Sequence, residues 1–136
     1  MNNIPEPALV ADPERDLYWL KDQYRIYLPT ANHGIEVDAG VYTDGASIPL
    51  PFWIVVGHPF APDVIAAAFT HDMLYCAELF PRHICDAVFR DLLLLTVSKP
   101  KAYVMYWAVR SFGWLVWRKH TVGSVAEART KVRIIS

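Results

Sequence analysis

The first third of the chain has the residue pattern of β-strands. Apolar and charged side chains alternate over residues 35–39, which predicts a strand with one buried face. An aromatic and β-branched segment, residues 17–28, is interrupted by Lys21-Asp22-Gln23, which predicts a β-hairpin. Asn32-His33-Gly34 predicts a turn between these two elements, and residues 45–62 predict a loop.

The second half changes to a helical pattern in which a proline precedes each of three apolar segments. Pro62, Pro81 and Pro100 suit the first helical position, where the missing N–H of proline costs nothing. We expect the third helix to begin after Lys99, because the residue before a proline is biased away from helix. The predicted helices cover residues 63–78, 82–97 and 101–119.

The predicted fold class is α+β, with a small N-terminal antiparallel β layer followed by three helices. The first two helices are expected to form a hairpin. A chain of 136 residues is long enough for one domain and hardly more. We therefore predict a single domain, residues 1–136, made of an extended arm, a β layer with its loop, helices and a tail. These parts cover residues 1–15, 16–60, 61–120 and 121–136.

Composition narrows the class of protein. The chain is 54% hydrophobic and carries a net charge of −1, without the basic excess of a nucleic-acid-binding domain. Its two cysteines are too few for a disulfide scaffold, so free thiols are expected. The N-terminus has no signal-peptide pattern. Residues 102–117 are apolar but shorter than a membrane span and interrupted by Arg110, so no transmembrane helix is predicted.

Polar residues inside the first apolar helix are the candidates for chemistry. His71 and Tyr75 are four residues apart and share one helix face. Burying a histidine there without a partner costs several kcal/mol, on the order of 2–7 for a polar group. Asp86 lies at a matching distance from the predicted hairpin turn, so it is expected to face His71 and orient it as a general base. Asp72 points about 100° away from His71 and is predicted to hold a hard cation, with Gly45 letting the backbone approach.

Alternative interpretations of these residues stay open. His71 and Asp72 also fit a buried polar network that fastens two helices. Arg82 and Arg90 lie four residues either side of Asp86 and fit an ion ladder. Asp44 fits a turn, a second metal ligand or a partner of His71. Ser47 is not in a nucleophile elbow. The other candidate metal ligands match no zinc spacing and are His33, His58 and His83.

Aromatic residues form a second candidate site. Trp107 and Trp114 recur with Tyr103 on one face of the third helix, near Arg110, Arg118 and Lys119. Such a face either packs against the β layer or meets lipid or a partner protein. Together with Trp53 of the loop, Trp107 and Trp114 are the predicted substrate or partner surface.

Two motifs on these helices resemble an enzyme family. His71-Asp72-x-x-Tyr75, followed by Asp86-x-x-Phe89, resembles the active-site helices of secreted and bacterial phospholipase A2 enzymes. The resemblance implies that His71 activates water and that Tyr75 and Asp86 support it. It also implies a calcium ion on Asp72 and on an upstream loop, here Asp44 and Gly45. The disulfide framework and glycine-rich calcium loop of those enzymes are replaced by other residues here.

A larger part of the chain resembles a phage and prophage family. Thr43-Asp44-Gly45-Ala46-Ser47-Ile48-Pro49, the two helix motifs and a late aromatic helix with Phe112-Gly113 and Trp117 are similar to the domain of unknown function 1353. This similarity covers residues 16–118. It implies a bacteriophage gene product, made in the host cytoplasm during assembly and associated with the virion or tail.

These observations lead to two alternative functions. The first is a virion- or tail-associated hydrolase with a phospholipase A2-like His-Asp site, which acts on lipid esters with calcium. The second is a non-enzymatic structural or tail-assembly protein in which the His-Asp hairpin is a structural polar network. Both imply other phage virion or tail proteins as partners, with a lipid or membrane surface as a further candidate and no nucleic acid.

Overall fold

The computed structural model describes residues 4–15, 17–43 and 61–135. Within this part of the chain, short strands precede and follow a group of helices, and the α+β class is confirmed. The strands are β1 (Leu9–Asp12), β2 (Leu17–Leu20), β3 (Tyr24–Leu28), β4 (His33–Val37), β5 (Tyr42–Thr43) and β6 (Val132–Ile134). The helices are α1 (Ile65–Ala77), α2 (Arg82–Leu93), α3 (Lys99–Trp117) and α4 (Val122–Arg129).

The strands form two antiparallel sheets of three strands, in the orders β1-β2-β5 and β3-β4-β6. The predicted hairpin of residues 17–28 is wrong, because its two strands belong to different sheets. Backbone pairing at Leu20 explains the separation. Its N–H donates to the carbonyl of Val41 at 2.8 Å, and its carbonyl accepts from the N–H of Gly40 at 2.7 Å. The end of β2 therefore pairs with the segment before β5 and not with β3.

Both ends of the described chain contain more secondary structure than the sequence predicts. Strand β1 lies within the predicted extended arm and pairs with β2, with Leu9 opposite Leu20. The predicted tail contains α4 and β6, so three helices was an underestimate. A capping box starts α4, in which the hydroxyl of Thr121 accepts from the N–H of Ser124 at 2.9 Å. Strand β6 then pairs with β4 and buries Val132.

The observed helix ends differ from the predicted ones by up to four residues, and only the start of α2 at Arg82 agrees. Helix α1 covers Ile65–Ala77 and not 63–78, and α3 ends at Trp117 and not at 119. Helix α2 ends at Leu93, four residues before the predicted end, and turns follow it. Helix α3 begins at Lys99, although the residue before a proline is biased away from the helical conformation. Ser98 caps this helix by accepting a hydrogen bond from the N–H of Lys101 at 3.4 Å. Pro100 therefore lies within the first turn, where no helical hydrogen bond is lost.

Helix α1 is the central element of the core. Eleven of its thirteen residues are buried, because α2 packs on one side while α4, β5 and β6 cover others. Helix α3 packs on α2. Cys76 and Cys85 are free thiols, as predicted. No helix among the described residues is long and apolar enough to cross a membrane.

Candidate functional site

The hairpin of α1 and α2 brings His71 and Asp86 into contact. His71 Nε2 lies 2.8 Å from Asp86 Oδ1, and both side chains are completely buried. The contact follows from the antiparallel packing of the two helices around the turn at residues 78–81. A histidine and a carboxylate that are 15 positions apart in sequence thus share one hydrogen bond inside the core.

Two aromatic side chains pack against the imidazole of His71. The Tyr75 ring lies 4.2 Å from the His71 ring, and the Phe89 ring lies 4.7 Å from it, measured between centroids. The Tyr75 hydroxyl donates to Asp86 Oδ1 at 2.6 Å. Tyr75 is one turn after His71 on α1, so both side chains reach the same carboxylate oxygen.

The second oxygen of Asp86 binds two guanidinium groups. Arg110 Nη1 donates to Asp86 Oδ2 at 2.8 Å from α3, and Arg82 Nη1 donates to it at 3.3 Å from α2. Arg82 also donates to the carbonyls of Val109 and Arg110. Four donors from three helices therefore converge on one buried carboxylate.

One of the two predicted contacts between Asp86 and its neighbouring arginines on α2 is confirmed. Arg82 contacts Asp86, whereas Arg90 binds Asp91 instead, with 2.8 Å between Nε and Oδ1. Arg110 is the member of this cluster that the sequence pattern did not predict, because the pattern places it beside the aromatic face of the third helix. A signal was available, since an arginine inside the apolar stretch 102–117 needs a buried acceptor.

Close packing of α3 on this cluster depends on Gly113. A Cβ atom at Gly113 would collide with the Tyr75 hydroxyl and lie 3.1 Å from Arg82 Nη1. The Trp117 ring covers the Tyr75 ring edge-on, with 5.1 Å between centroids. Gly113 and Trp117 therefore shape the side of the site that α3 closes.

The electrostatics define the protonation of the pair. Burial lowers the pKa of His71, although the neighbouring Asp86 opposes this shift. Burial acts to raise the pKa of Asp86, but hydrogen bonds from His71, Tyr75 and Arg110 outweigh it and hold that pKa below its usual value. The pair is therefore a neutral imidazole beside a carboxylate at neutral pH.

This protonation state also determines the tautomer of His71. A carboxylate oxygen only accepts hydrogen bonds, so Nε2 carries the proton that faces Asp86. Nδ1 is then the nitrogen with the free electron pair. Among residues 4–15, 17–43 and 61–135, this buried Nδ1 has no hydrogen-bond partner. It is the atom through which His71 can accept a proton.

Asp72 points to another side of α1. Its Oδ2 accepts from the Thr43 hydroxyl at 2.6 Å, and its Oδ1 lies 3.8 Å from Cys76 Sγ. Calcium takes roughly six to eight oxygen ligands, so Asp72 and Thr43 do not form a calcium site by themselves. No group of three or more His, Cys, Asp or Glu side chains suited to a metal occurs in the described part of the chain.

The other predicted site residues divide into two groups. Asp44, Gly45 and Trp53 lie outside the described residues. Trp107 and Trp114 lie on the outer side of α3, with 61% and 46% of their surface exposed. Trp107 and Trp114 therefore face away from the His71 site, and their role as a surface stays a prediction.

Comparison with known proteins places the site within a described family. The family whose description is "Protein of unknown function (DUF1353)" matches residues 19–109. This range includes His71, Tyr75, Arg82 and Asp86, and it ends one residue before Arg110.

Two relatives come from Sinorhizobium fredii (strain NBRC 101917 / NGR234). Uncharacterized protein y4jT is 34% identical over 76% of this chain and 30% of its own length. Uncharacterized protein y4iH is 36% identical over 64% of this chain and 37% of its own length. The chain therefore spans about a third of the curated relatives it matches. No solved structure matches the chain.

Proposed function

The chain belongs to the DUF1353 family of proteins of unknown function, and we propose that it is a hydrolase in which His71 is the general base. The observation that carries the proposal is the arrangement around the imidazole. Nε2 is held by Asp86 at 2.8 Å, while the buried Nδ1 has no partner among the described residues. A base held in one tautomer with its free electron pair unused is prepared to accept a proton from water.

The reaction follows from this arrangement. Nδ1 of His71 takes a proton from a water molecule as the water oxygen attacks the carbonyl carbon of an ester. The imidazolium that forms is stabilised by the adjacent Asp86 carboxylate, which stays ionised. As the tetrahedral intermediate collapses, the ester C–O bond breaks and the leaving oxygen takes the proton back from Nδ1. The products are a carboxylic acid and an alcohol.

Asp86 and its donors act as positioning residues. Burial raises the pKa of Tyr75, so its hydroxyl remains a donor to Asp86 at any ordinary pH. Arg82 and Arg110 neutralise the buried carboxylate and keep it ionised. Without them a buried carboxylate tends to take up a proton and would no longer stabilise the imidazolium.

The proposed substrate is a lipid ester. Support comes from the spacing His71-Asp72-x-x-Tyr75 with a facing Asp86, which resembles phospholipase A2. A calcium ion on Asp72 belongs to the same resemblance and is proposed with it. We also propose a role in the host cytoplasm during phage assembly and then in the virion or tail, beside other virion proteins; its support is the motif resemblance to a phage and prophage family described in the sequence analysis.

A second candidate function is supported by the burial of the pair. His71 and Asp86 have no exposed side-chain surface, and Asp86 accepts from donors on three helices. These features are also those of a polar network that fastens α1, α2 and α3 together. In that case the chain is a non-enzymatic phage structural or tail-assembly protein.

Hydrolysis assays with a matched pair of histidine variants separate the two candidates. We expect His71→Gln to lower turnover of a phospholipid or short-chain ester on the order of 10³-fold, the usual contribution of a general base. His83→Gln removes an exposed histidine of α2 and should leave turnover unchanged. Urea unfolding of each variant reports whether the fold is kept.

Two results would decide against catalysis. Equal turnover by the parent and by a folded His71→Gln variant would remove His71 as the base. A folded parent that hydrolyses neither ester, while His71→Gln lowers its unfolding free energy, would assign the pair to the structural network.

A further inference from the structure

Helix α3 exposes an apolar strip along most of its length. Four members, spaced three, seven and one positions apart, keep at least a third of their surface accessible. They are Val104 (41%), Trp107 (61%), Trp114 (46%) and Leu115 (37%). Residues on the other side of α3, such as Met105 and Val109, are buried and pack on α2. The strip is therefore not needed to hold the described part of the fold together.

A groove lies within this strip. Its volume is about 320 Å³, and its lining is almost entirely apolar. The lining residues are Tyr103, Val104, Trp107, Ala108, Ser111 and Phe112. An exposed apolar groove bordered by tryptophan favours a partner with an apolar surface or acyl chains.

The charge of α3 and of the two residues that follow it, Arg118 and Lys119, indicates which kind of partner fits the strip. Residues 99–119 contain five cations and no aspartate or glutamate, whereas the whole chain has a net charge of −1. Arg110 is bound to Asp86, but Lys99, Arg118 and Lys119 are exposed. The Arg118 guanidinium lies 5.0 Å from the Trp114 ring centroid, so a cation and an aromatic ring occupy the same surface.

We propose that α3 binds the surface of an anionic lipid bilayer, lying flat with the strip in the interface and its cations beside lipid phosphates. A helix with tryptophan and leucine on one side and lysine and arginine around it is typical of such interfacial binding. A helix of 19 residues is about 28 Å long, enough to contact several lipids along its axis. This inference extends the proposed function, because the bilayer would supply the ester, but lipid binding itself does not require His71.

Vesicle sedimentation tests the proposal directly. Vesicles of phosphatidylcholine and phosphatidylglycerol (roughly 4:1) should pellet the full chain, whereas pure phosphatidylcholine vesicles should pellet much less of it. Raising the salt concentration should release the protein, because salt screens the attraction between its cations and the lipid phosphates. At low salt each cation near an anionic surface raises the partition coefficient about fivefold.

Variants with matched controls assign the binding to α3. Trp107→Ser with Trp114→Ser should lower partitioning at least about tenfold, since two aromatic side chains leave the interface. Tyr27→Ser, which removes a 55% exposed aromatic residue of β3, should have no effect.

Arg118→Gln with Lys119→Gln should lower partitioning to anionic vesicles roughly 25-fold. Arg15→Gln with Lys21→Gln removes two exposed cations elsewhere and should not. The charge variants keep the test valid if the tryptophan variant does not fold.

Several outcomes would overturn the proposal. They are absence of binding to either vesicle, equal binding to both, or equal losses in the α3 variants and their controls. A concentration-dependent dimer that Trp107→Ser abolishes, without vesicle binding, would assign the strip to a second copy of the chain.

Vesicle binding and ester hydrolysis can be measured independently of each other. Vesicle binding without ester turnover would retain the lipid surface and reject the hydrolase. Turnover of a soluble short-chain ester without vesicle binding would do the reverse, and His71→Gln should bind vesicles as the parent does.

Discussion

The hydroxyl group of Tyr75 occupies the space that a side chain at Gly113 would fill. Tyr75 belongs to α1 and Gly113 to α3, so the absence of a Cβ atom lets the two helices meet at the Asp86 cluster. Glycine in a helix costs roughly 1 kcal/mol relative to alanine. At this position the missing Cβ leaves room for the Tyr75 hydroxyl, which donates its hydrogen bond to Asp86.

Replacement of Gly113 by alanine should therefore destabilise the protein. The added methyl group collides with Tyr75 and crowds Arg82, and overpacking of this kind typically costs about 1–3 kcal/mol, more than the gain in helix propensity. Gly123→Ala in α4 is the control, because its Cβ would meet only Thr121 Oγ1 at 3.8 Å. Urea unfolding should show a loss for the first and none for the second. Equal stabilisation of both would contradict the close approach.

Arg110 contacts Asp86 and Arg90 contacts Asp91, so the loss of each guanidinium should have a different effect on stability. Arg110→Gln should lower the unfolding free energy by about 1–3 kcal/mol, since a buried carboxylate loses a charged donor at 2.8 Å. Arg90→Gln removes a guanidinium that contacts the more exposed Asp91 and should cost less than about 1 kcal/mol. Chemical unfolding of both variants measures this difference. A larger loss for Arg90→Gln would show that the assignment of the Asp86 partner is wrong.

Stability should fall as the pH is lowered from 7 towards 5. The pKa of His71 is lowered by burial in the folded protein, so the unfolded chain binds a proton near the ordinary histidine pKa of about 6.5 and the folded one does not. Acid therefore favours unfolding through this window. The lowered pKa of Asp86 has the same sign and adds a loss below about pH 4.

Unfolding midpoints in urea at pH 7.5 and 5.5 check the histidine contribution. The parent should lose more stability between these values than His71→Gln, which has no titratable group at position 71. His83→Gln, an exposed control, should follow the parent. If His71→Gln and the parent lose the same amount, His71 is not the buried neutral group.

Calcium binding tests the role of Asp72. The resemblance to phospholipase A2 predicts a saturable heat of binding that Asp72→Asn abolishes, because the carboxylate is the charged ligand. Asp63→Asn, at a partly exposed carboxylate near Lys101, is the control and should leave the titration unchanged. Equal binding by the parent and Asp72→Asn would show that Asp72 is not the ligand. In that case Asp72 is best explained by its hydrogen bond with Thr43.

Local pattern was sufficient to predict part of this protein. Helical spacing put His71 and Tyr75 on one face, Pro81 directly precedes α2 as predicted, and the length of the turn placed Asp86 opposite His71. These features depend on residues near one another in sequence, and the 3.6-residue helical repeat fixes their geometry.

Pairing between distant segments could not be read from the chain. Backbone hydrogen bonds are the same for every residue, so nothing in residues 17–28 showed that β2 pairs with β1 and β5 instead of β3. For the same reason the partnership of β6 with β4 was unexpected.

The α+β class, the first three helices and the contact of His71 with Asp86 follow from the sequence pattern alone. The two sheets, the close approach of α3 at Gly113 and the contact of Arg110 with the Asp86 carboxylate became evident from the three-dimensional arrangement. The physical reason is that helical order is set within a few turns of chain. The docking of α3 is set by packing and charge between segments far apart in sequence.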